Sequence, residues 1–269
     1  MRNNSLKIFL MGGLGNVFFQ LNAASILRAE LGASRSIKVT NLVLAHRKLF
    51  SNLFGVQDHS ALDALESLGF SVDNKFAADC CDLLLILGSK KLKTQLFSSM
   101  YFGRQNPRLE AVNDIKAMFS YFQDEYRISH EFVSDLKSRL FSVTNKPEAK
   151  AETVVHFRGG DFGLSNDGPL LDYYKRALDG TRECVIVTDD RVRTELYFSR
   201  NFPCLQFKFN DSISLLDDLR FLSEAQRLIS SNSTFCWWAA EISTAEIIQP
   251  KRFYDFRWRP KSIRLRIDI

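Results

Sequence analysis

Three short stretches of the chain hold the residue types that bind or move charge. The first, Gly12-Gly13-Leu14-Gly15-Asn16, follows directly on an apolar run at residues 6–11. Glycines let a ligand approach the backbone, and the amino end of a following helix favours an anion. The stretch is not the dinucleotide fingerprint GxGxxG, because its third glycine position is otherwise occupied and no acid follows about 20 residues on. It reads equally as a tight strand-to-helix turn capped by Asn16. The second stretch, His156-Phe157-Arg158-Gly159-Gly160-Asp161, comes off the apolar run VVHF. Arg158 offers a permanently charged fork shaped for phosphate oxygens. Strand alternation points His156 to the same face. Asp161 is the one carboxylate inside a motif: a candidate general base, or the partner of Arg158 in an ion pair that fixes the turn. The third stretch is Ser230-Ser231-Asn232-Ser233-Thr234, ahead of an apolar helix at 235–242. Small hydroxyl residues before a helix are N-caps by default. Five polar residues exceed what a cap requires, and hydroxyls beside free N–H groups make a phosphate cradle. Trp237 and Trp238 are adjacent and cannot share a helix face, so at least one belongs to the core.

The elements that must carry these stretches follow from periodicity. Residues 6–11 read as a strand and 17–31 as a helix stopped by Gly32. Residues 60–68 read as a further helix. The apolar run 83–87, bounded by Asp82 and Gly88, suits a buried parallel strand. Residues 110–141 read as mostly helical. The polar, Pro147-bearing stretch 142–153 has no periodicity and is the expected linker, dividing the chain into domains 1–145 and 146–269. Beyond it, 154–157 and 184–188 read as short buried strands. The first runs into Arg158 and its glycines, the second into Asp189-Asp190. Residues 214–228 read as one amphipathic helix. Strand and helix alternate in both halves, which argues for two α/β domains with ligand sites beyond the carboxyl ends of the strands.

Composition bounds the rest. The chain has 269 residues, 45% hydrophobic and 25% charged, which excludes disordered and collagen-like classes. Phe supplies 23 of the aromatic residues, the mark of a well-filled core. The 5 cysteines are odd in number and lack metal-ligand spacing, so a reducing compartment is expected. No apolar stretch approaches a span of roughly 20 residues and no secretion signal is visible, so the expected location is cytoplasmic. The net charge of +5 is unevenly spread. Residues 251–266 hold seven Lys or Arg and one acid, Asp255, and the remaining chain is nearly neutral. Such a tail rests on an anionic surface or is simply solvated. Nucleic-acid binding has only this charge in its favour, with no motif behind it, and no nucleic-acid partner is expected.

GGLGN, HFRGGD and SNSTFCWWAA, in that order, resemble the α-1,2-fucosyltransferases of bacteria and animals. Lesser matches keep the same order: Tyr121-Phe122-Gln123, Leu171-Asp172-Tyr173-Tyr174, Val187-Thr188-Asp189-Asp190 and Pro250-Lys251-Arg252-Phe253. Together they span residues 12 to 253. The resemblance implies a GT-B-like fold, two Rossmann-like domains facing a central cleft. It also implies a donor, GDP-fucose, bound there without a metal or other cofactor. No carboxylate pair or His cluster of metal-ligand type stands near the three motifs. The reaction implied is inverting transfer of L-fucose to O2 of a galactose in an oligosaccharide or lipid-linked glycan. Arg158 then takes the β-phosphate, with Asn232, Ser233, Thr234 and Phe235 beside it. Gly13, Leu14, Gly15 and Asn16 approach from the N-terminal domain, and His156 with Asp189 or Asp190 meets guanine or ribose. Asp161 remains the candidate base; without one, the leaving phosphate itself takes the acceptor proton. One departure stands out. The family's HxRRGD has a second Arg where this chain has Gly159. Two other readings stay open: a transferase for another GDP-sugar, and a catalytically silent nucleotide-sugar-binding protein. A peripheral contact of the basic tail with an anionic membrane surface is a further expectation.

Overall fold

The computed structural model describes residues 5–10, 12–31, 36–41, 60–70, 100–102, 117–119, 128–144, 151–159, 169–212, 214–250 and 266–268. The chain divides into two compact units, Met1–Asp135 and Leu136–Ile269. Expectations at Gly160, Asp161, the run 83–87, Tyr121-Phe122-Gln123 and most of the basic tail lie outside the described residues.

In the first unit, β1 (Ser5–Leu10) leads through α1 (Leu14–Leu31) to β2 (Ser36–Asn41). Then come α2 (Ser60–Ser67), β3 (Met100–Phe102) and β4 (Ala117–Phe119). The sheet runs β2-β1-β4-β3 and every pairing is parallel. Leu6, Ile8 and Leu10 of β1 are buried beside Phe18 and Phe19 of α1. Two expectations are corrected here. Residues 117–119 are a strand, not part of a helix over 110–141: a short apolar run inserted between two parallel partners looks the same in sequence as a buried helical turn. The first helix also starts at Leu14, three residues before Val17, because the Gly13 carbonyl already accepts the N–H groups of Asn16 (2.9 Å) and Val17 (3.1 Å).

Helix α3 (His130–Val143) contains the division between the units, so the polar stretch expected from 142 begins only after Val143. The second unit then alternates strand and helix as far as Gln249. It runs β5 (Thr153–Phe157), α4 (Pro169–Ala177), β6 (Glu183–Thr188), α5 (Arg191–Asn201) and β7 (Gln206–Phe209). It continues through α6 (Leu215–Ser223), β8 (Arg227–Ile229), α7 (Thr234–Ile242), β9 (Glu246–Gln249) and β10 (Arg266–Asp268). All pairings are parallel, in the order β10-β9-β8-β5-β6-β7. Every residue of β5 is buried, as a strand covered on both faces must be. Val155 and Phe157 face one core with Tyr174, Tyr197 and Phe198. The expected helix over 214–228 is split. It ends at Ser223, and residues 227–229 form a central strand, because Leu228 and Ile229 are fully buried by sheet neighbours rather than by a helical stripe. Both tryptophans are core residues of a helix that is apolar nearly all round.

The α/β class with parallel sheets therefore holds in each unit. Among the described residues no helix is long and apolar enough to cross a membrane.

Candidate functional site

In an open parallel sheet, ligands bind beyond the carboxyl ends of the strands, where the strand order reverses. The second unit grows from β5 outward to β6 and β7, then restarts on the other side with β8 and β9. The reversal lies between β5 and β8, paired as Val155 with Ile229. Arg158 and Gly159 follow β5 at that edge, and Ser230 to Ser233 follow β8. Topology thus joins two motifs that lie about 75 positions apart.

Side chains seal the junction. His156 Nδ1 lies 2.5 Å from Ser231 Oγ, both buried, and its ring stands 5.9 Å from that of Phe235. Burial, and then the nearby Arg158 charge, push the His156 pKa from 6.5 down to about 3. The imidazole is therefore neutral, a fixed hydrogen-bonding group rather than a second cation. Ser233 is the N-cap of α7, its hydroxyl accepting the Phe235 N–H at 3.3 Å. Asn232 and Thr234 are half-buried, and no hydrogen bond among the described residues engages their side chains. Arg158 is half-buried at the rim.

The β6–α5 turn closes the other side. Asp189 Oδ1 accepts the Gly159 N–H at 2.8 Å. The Asp190 carboxylate serves α5: it accepts the Arg193 N–H at 3.0 Å and pairs with that guanidinium at 3.4 Å. Thr188 and Thr194 hydroxyls meet at 2.8 Å, and Thr194 Oγ1 donates to the Asp190 carbonyl at 2.6 Å. Gly159 is buried against this corner. A Cβ there would stand 3.1 Å from Thr194 Oγ1 and 3.5 Å from Asp190. The neighbouring turn occupies the space beside Gly159 into which a side chain would project.

Sequence reasoning passed over two supports. Tyr173 O–H sits 2.7 Å from the Ser230 carbonyl and 3.0 Å from that of Ile248. Tyr174 donates to the His156 carbonyl at 3.2 Å. Burial raises both phenols well above 10, so they stay protonated donors beneath the junction. The adjacent tyrosines were visible as a pair, but only the fold shows what they brace. Thr194 left no sequence signal at all. The thiols of Cys184 and Cys236 are pushed up to about 12 by burial and are inert.

In the first unit, Gly12 adopts φ 81°, a conformation that excludes ordinary side chains. Gly13 is exposed, and a Cβ there would meet nothing within 4 Å. Leu14 and Gly15 are buried and Asn16 half-buried in the first turn of α1. Leu14 thus offers a ligand only its backbone. This stretch follows β1, between β2 and β4, and so also lies at the reversal of its own sheet. A shallow cleft of about 470 Å³ lined by Glu152, Thr153, Gly180, Arg182 and Arg227 lies at the amino ends of the strands, the opposite edge from these motifs.

No family model matches the chain. It is similar to the O-antigen biosynthesis glycosyltransferase WbnK of Escherichia coli, 24% identical over 292 residues covering 91% of this chain and 93% of that protein. Among solved structures, it is similar to the ADP-heptose LPS heptosyltransferase II of E. coli (12% identity, TM-score 0.48, covering 98% of this chain and 90% of that one). It is also similar to the fucosyltransferase NodZ from Bradyrhizobium (15% identity, TM-score 0.45, covering 91% and 94%). Along nearly its whole length, then, the chain is similar in sequence to a glycosyltransferase.

Proposed function

We propose that the protein is an inverting glycosyltransferase that moves L-fucose from GDP-fucose to O2 of a galactose in an oligosaccharide or lipid-linked glycan. One observation carries this reading: β5 and β8 bring the Arg158 motif and the SNSTF motif to one sheet edge, locked by the His156–Ser231 hydrogen bond. As the glycosidic bond breaks, negative charge grows on the departing diphosphate and the sugar becomes oxocarbenium-like. Stabilising that charge is the main catalytic task. Arg158 supplies a fixed cation at the rim. The first turn of α7 supplies N–H groups, and Thr234 and Asn232 supply polar side chains. His156, held neutral, orients the loop without competing for the phosphate. The backbone of Gly13, Leu14 and Gly15, with the Asn16 amide, contributes from the first unit. Asp161 is the candidate base for the acceptor hydroxyl.

The deciding experiment is a glycan-acceptor array with labelled GDP-fucose, run beside a panel of other GDP-sugars and ADP-sugars. Transfer from GDP-fucose to galactose-terminated acceptors is expected. Transfer from another donor alone replaces the fucose assignment, and donor binding without transfer to any acceptor leaves a silent binding protein. No metal enters this scheme, so activity is expected to persist in excess EDTA; loss restored by Mg²⁺ or Mn²⁺ would refute that part. The proposed location is cytoplasmic, with Arg257 to Arg266 resting on anionic lipid. Each basic residue near such a surface contributes about 1 kcal/mol. Salt-sensitive sedimentation with anionic but not neutral vesicles is the expected outcome, and equal recovery with both refutes it.

A further inference from the structure

We propose that Asp189 is a positioning residue: it acts on the donor through the backbone of Arg158 rather than by touching guanine or ribose. The inference rests on Arg158 being the diphosphate ligand. A peptide group is planar, so fixing the Gly159 N–H also fixes the Arg158 carbonyl and its ψ angle. Asp189 Oδ1 holds that N–H at 2.8 Å. The contact is made across two strand ends, β5 and β6, whose own pairing stops at Phe157–Thr188. The next residues have no ladder to hold them, and the carboxylate takes over where the ladder ends.

The other side of the same peptide is walled. Gly159 packs on the corner formed by Thr188, Asp190 and Thr194, whose hydroxyls and carbonyl are bonded to one another. The segment carrying Arg158 is therefore gripped by one hydrogen bond and one packed surface. Gly159 is what lets the wall come this close. In this chain the missing second cation and the tight turn are a single arrangement.

The role makes a separable demand on Asp189: an acceptor oxygen at a fixed point, with no need of charge. Asp189→Asn keeps the oxygen and loses the charge. Asp189→Glu keeps the charge and moves the oxygen by one methylene. Asp189→Ala loses both. Amide hydrogen exchange of Gly159, read without any ligand, should stay slow in the wild type and the Asn variant. It should speed by at least about tenfold in the Ala and Glu variants. In the transfer assay, Asp189→Ala and Asp189→Glu should lose roughly 10- to 100-fold in kcat with a smaller change in KM, as a misplaced catalytic group does. Asp189→Asn should remain within about threefold of wild type. Should the Ala variant fail to fold, the Asn–Glu pair decides.

Wild-type behaviour of Asp189→Glu together with a crippled Asp189→Asn would show a charge-dependent ligand contact and overturn the proposal. Unchanged Gly159 exchange in the Ala and Glu variants would overturn it as well. If the wild type transfers no fucose, the functional reading falls instead, and the exchange pattern alone upholds or overturns the clamp.

Discussion

Gly13, beyond β1, faces open space, whereas Gly159, beyond β5, is pressed against Thr194 and Asp190. Each follows the strand at which its own parallel sheet reverses. In the first unit the glycine carbonyl caps the first turn of the helix, and a Cβ on that glycine would meet none of the described residues within 4 Å. In the second the glycine lets two turns close on each other, so that a neighbouring carboxylate can fix the peptide after Arg158. The same residue type makes one edge accessible and the other rigid.

The largest effect expected belongs to the rigid edge. Arg158→Ala should lower transfer about a hundredfold or more, on the order of 3 kcal/mol, with little change in melting temperature. Arg158→Lys should recover little, because an ammonium does not reproduce a two-pronged fork. Wild-type turnover by either variant would remove Arg158 from the mechanism and dissolve the comparison.

Substituting the two glycines sharpens it directly. Gly159→Ala should cost about 1–3 kcal/mol of stability through overpacking against Thr194. Gly159→Arg, which installs the second Arg of the HxRRGD pattern, should lower the melting temperature and weaken GDP binding. Tighter GDP binding by Gly159→Arg at an unchanged melting temperature would show that the wall yields.

A pH experiment probes the junction beside that wall. The folded pKa of His156, about 3, lies below its ordinary 6.5. The unfolded chain therefore binds more protons in that window. Stability from this group is complete above about pH 6.5 and drains away as pH falls towards 3. Between pH 7 and 5 the loss amounts to about 2 kcal/mol. Urea unfolding of His156→Gln should show a correspondingly shallower decline over that range. Parallel declines would mean that the imidazole charges without leaving its place.

The smallest expected effect is at the open edge. Gly13→Ala should change stability by less than about 0.5 kcal/mol, since the added methyl meets nothing. It should still raise the KM for the donor by a few-fold if the backbone there lies against a ligand. A large loss of stability in Gly13→Ala would make both glycines packing residues and end the contrast.

The α/β class, and the place of GGLGN and the Arg158 motif just past strand ends, were legible from local pattern, because strand and glycine turn are neighbours in sequence; the strand ahead of Ser230 was not. Short central strands were not. Ala117–Phe119 and Arg227–Leu228 were read as helix, since strands of three residues are too short to show a period that separates the two. Asp189 and Asp190 were marked as one or the other meeting guanine or ribose, and sequence did not show the bonds they make within the fold. Only pairing across β5 and β6 gives one to the Gly159 amide and the other to the cap of α5.

What the sequence by itself determined is chemistry: a permanent cation after one strand, hydroxyls before one helix, glycines at two turns. Residue type and its immediate neighbours fix charge, donor count and backbone freedom wherever the chain goes. What only the tertiary structure decided is which of these groups remain available. His156 is neutral because the fold buries it beside Arg158. Ser231 and Ser233 are occupied, while no hydrogen bond among the described residues engages the side chains of Thr234 and Asn232. A side chain at Gly159 must displace Thr194, 35 positions away, whose hydroxyl stands 3.1 Å from where its Cβ would lie. Burial and hydrogen-bond partnership depend on residues far along the chain, and no local pattern encodes them.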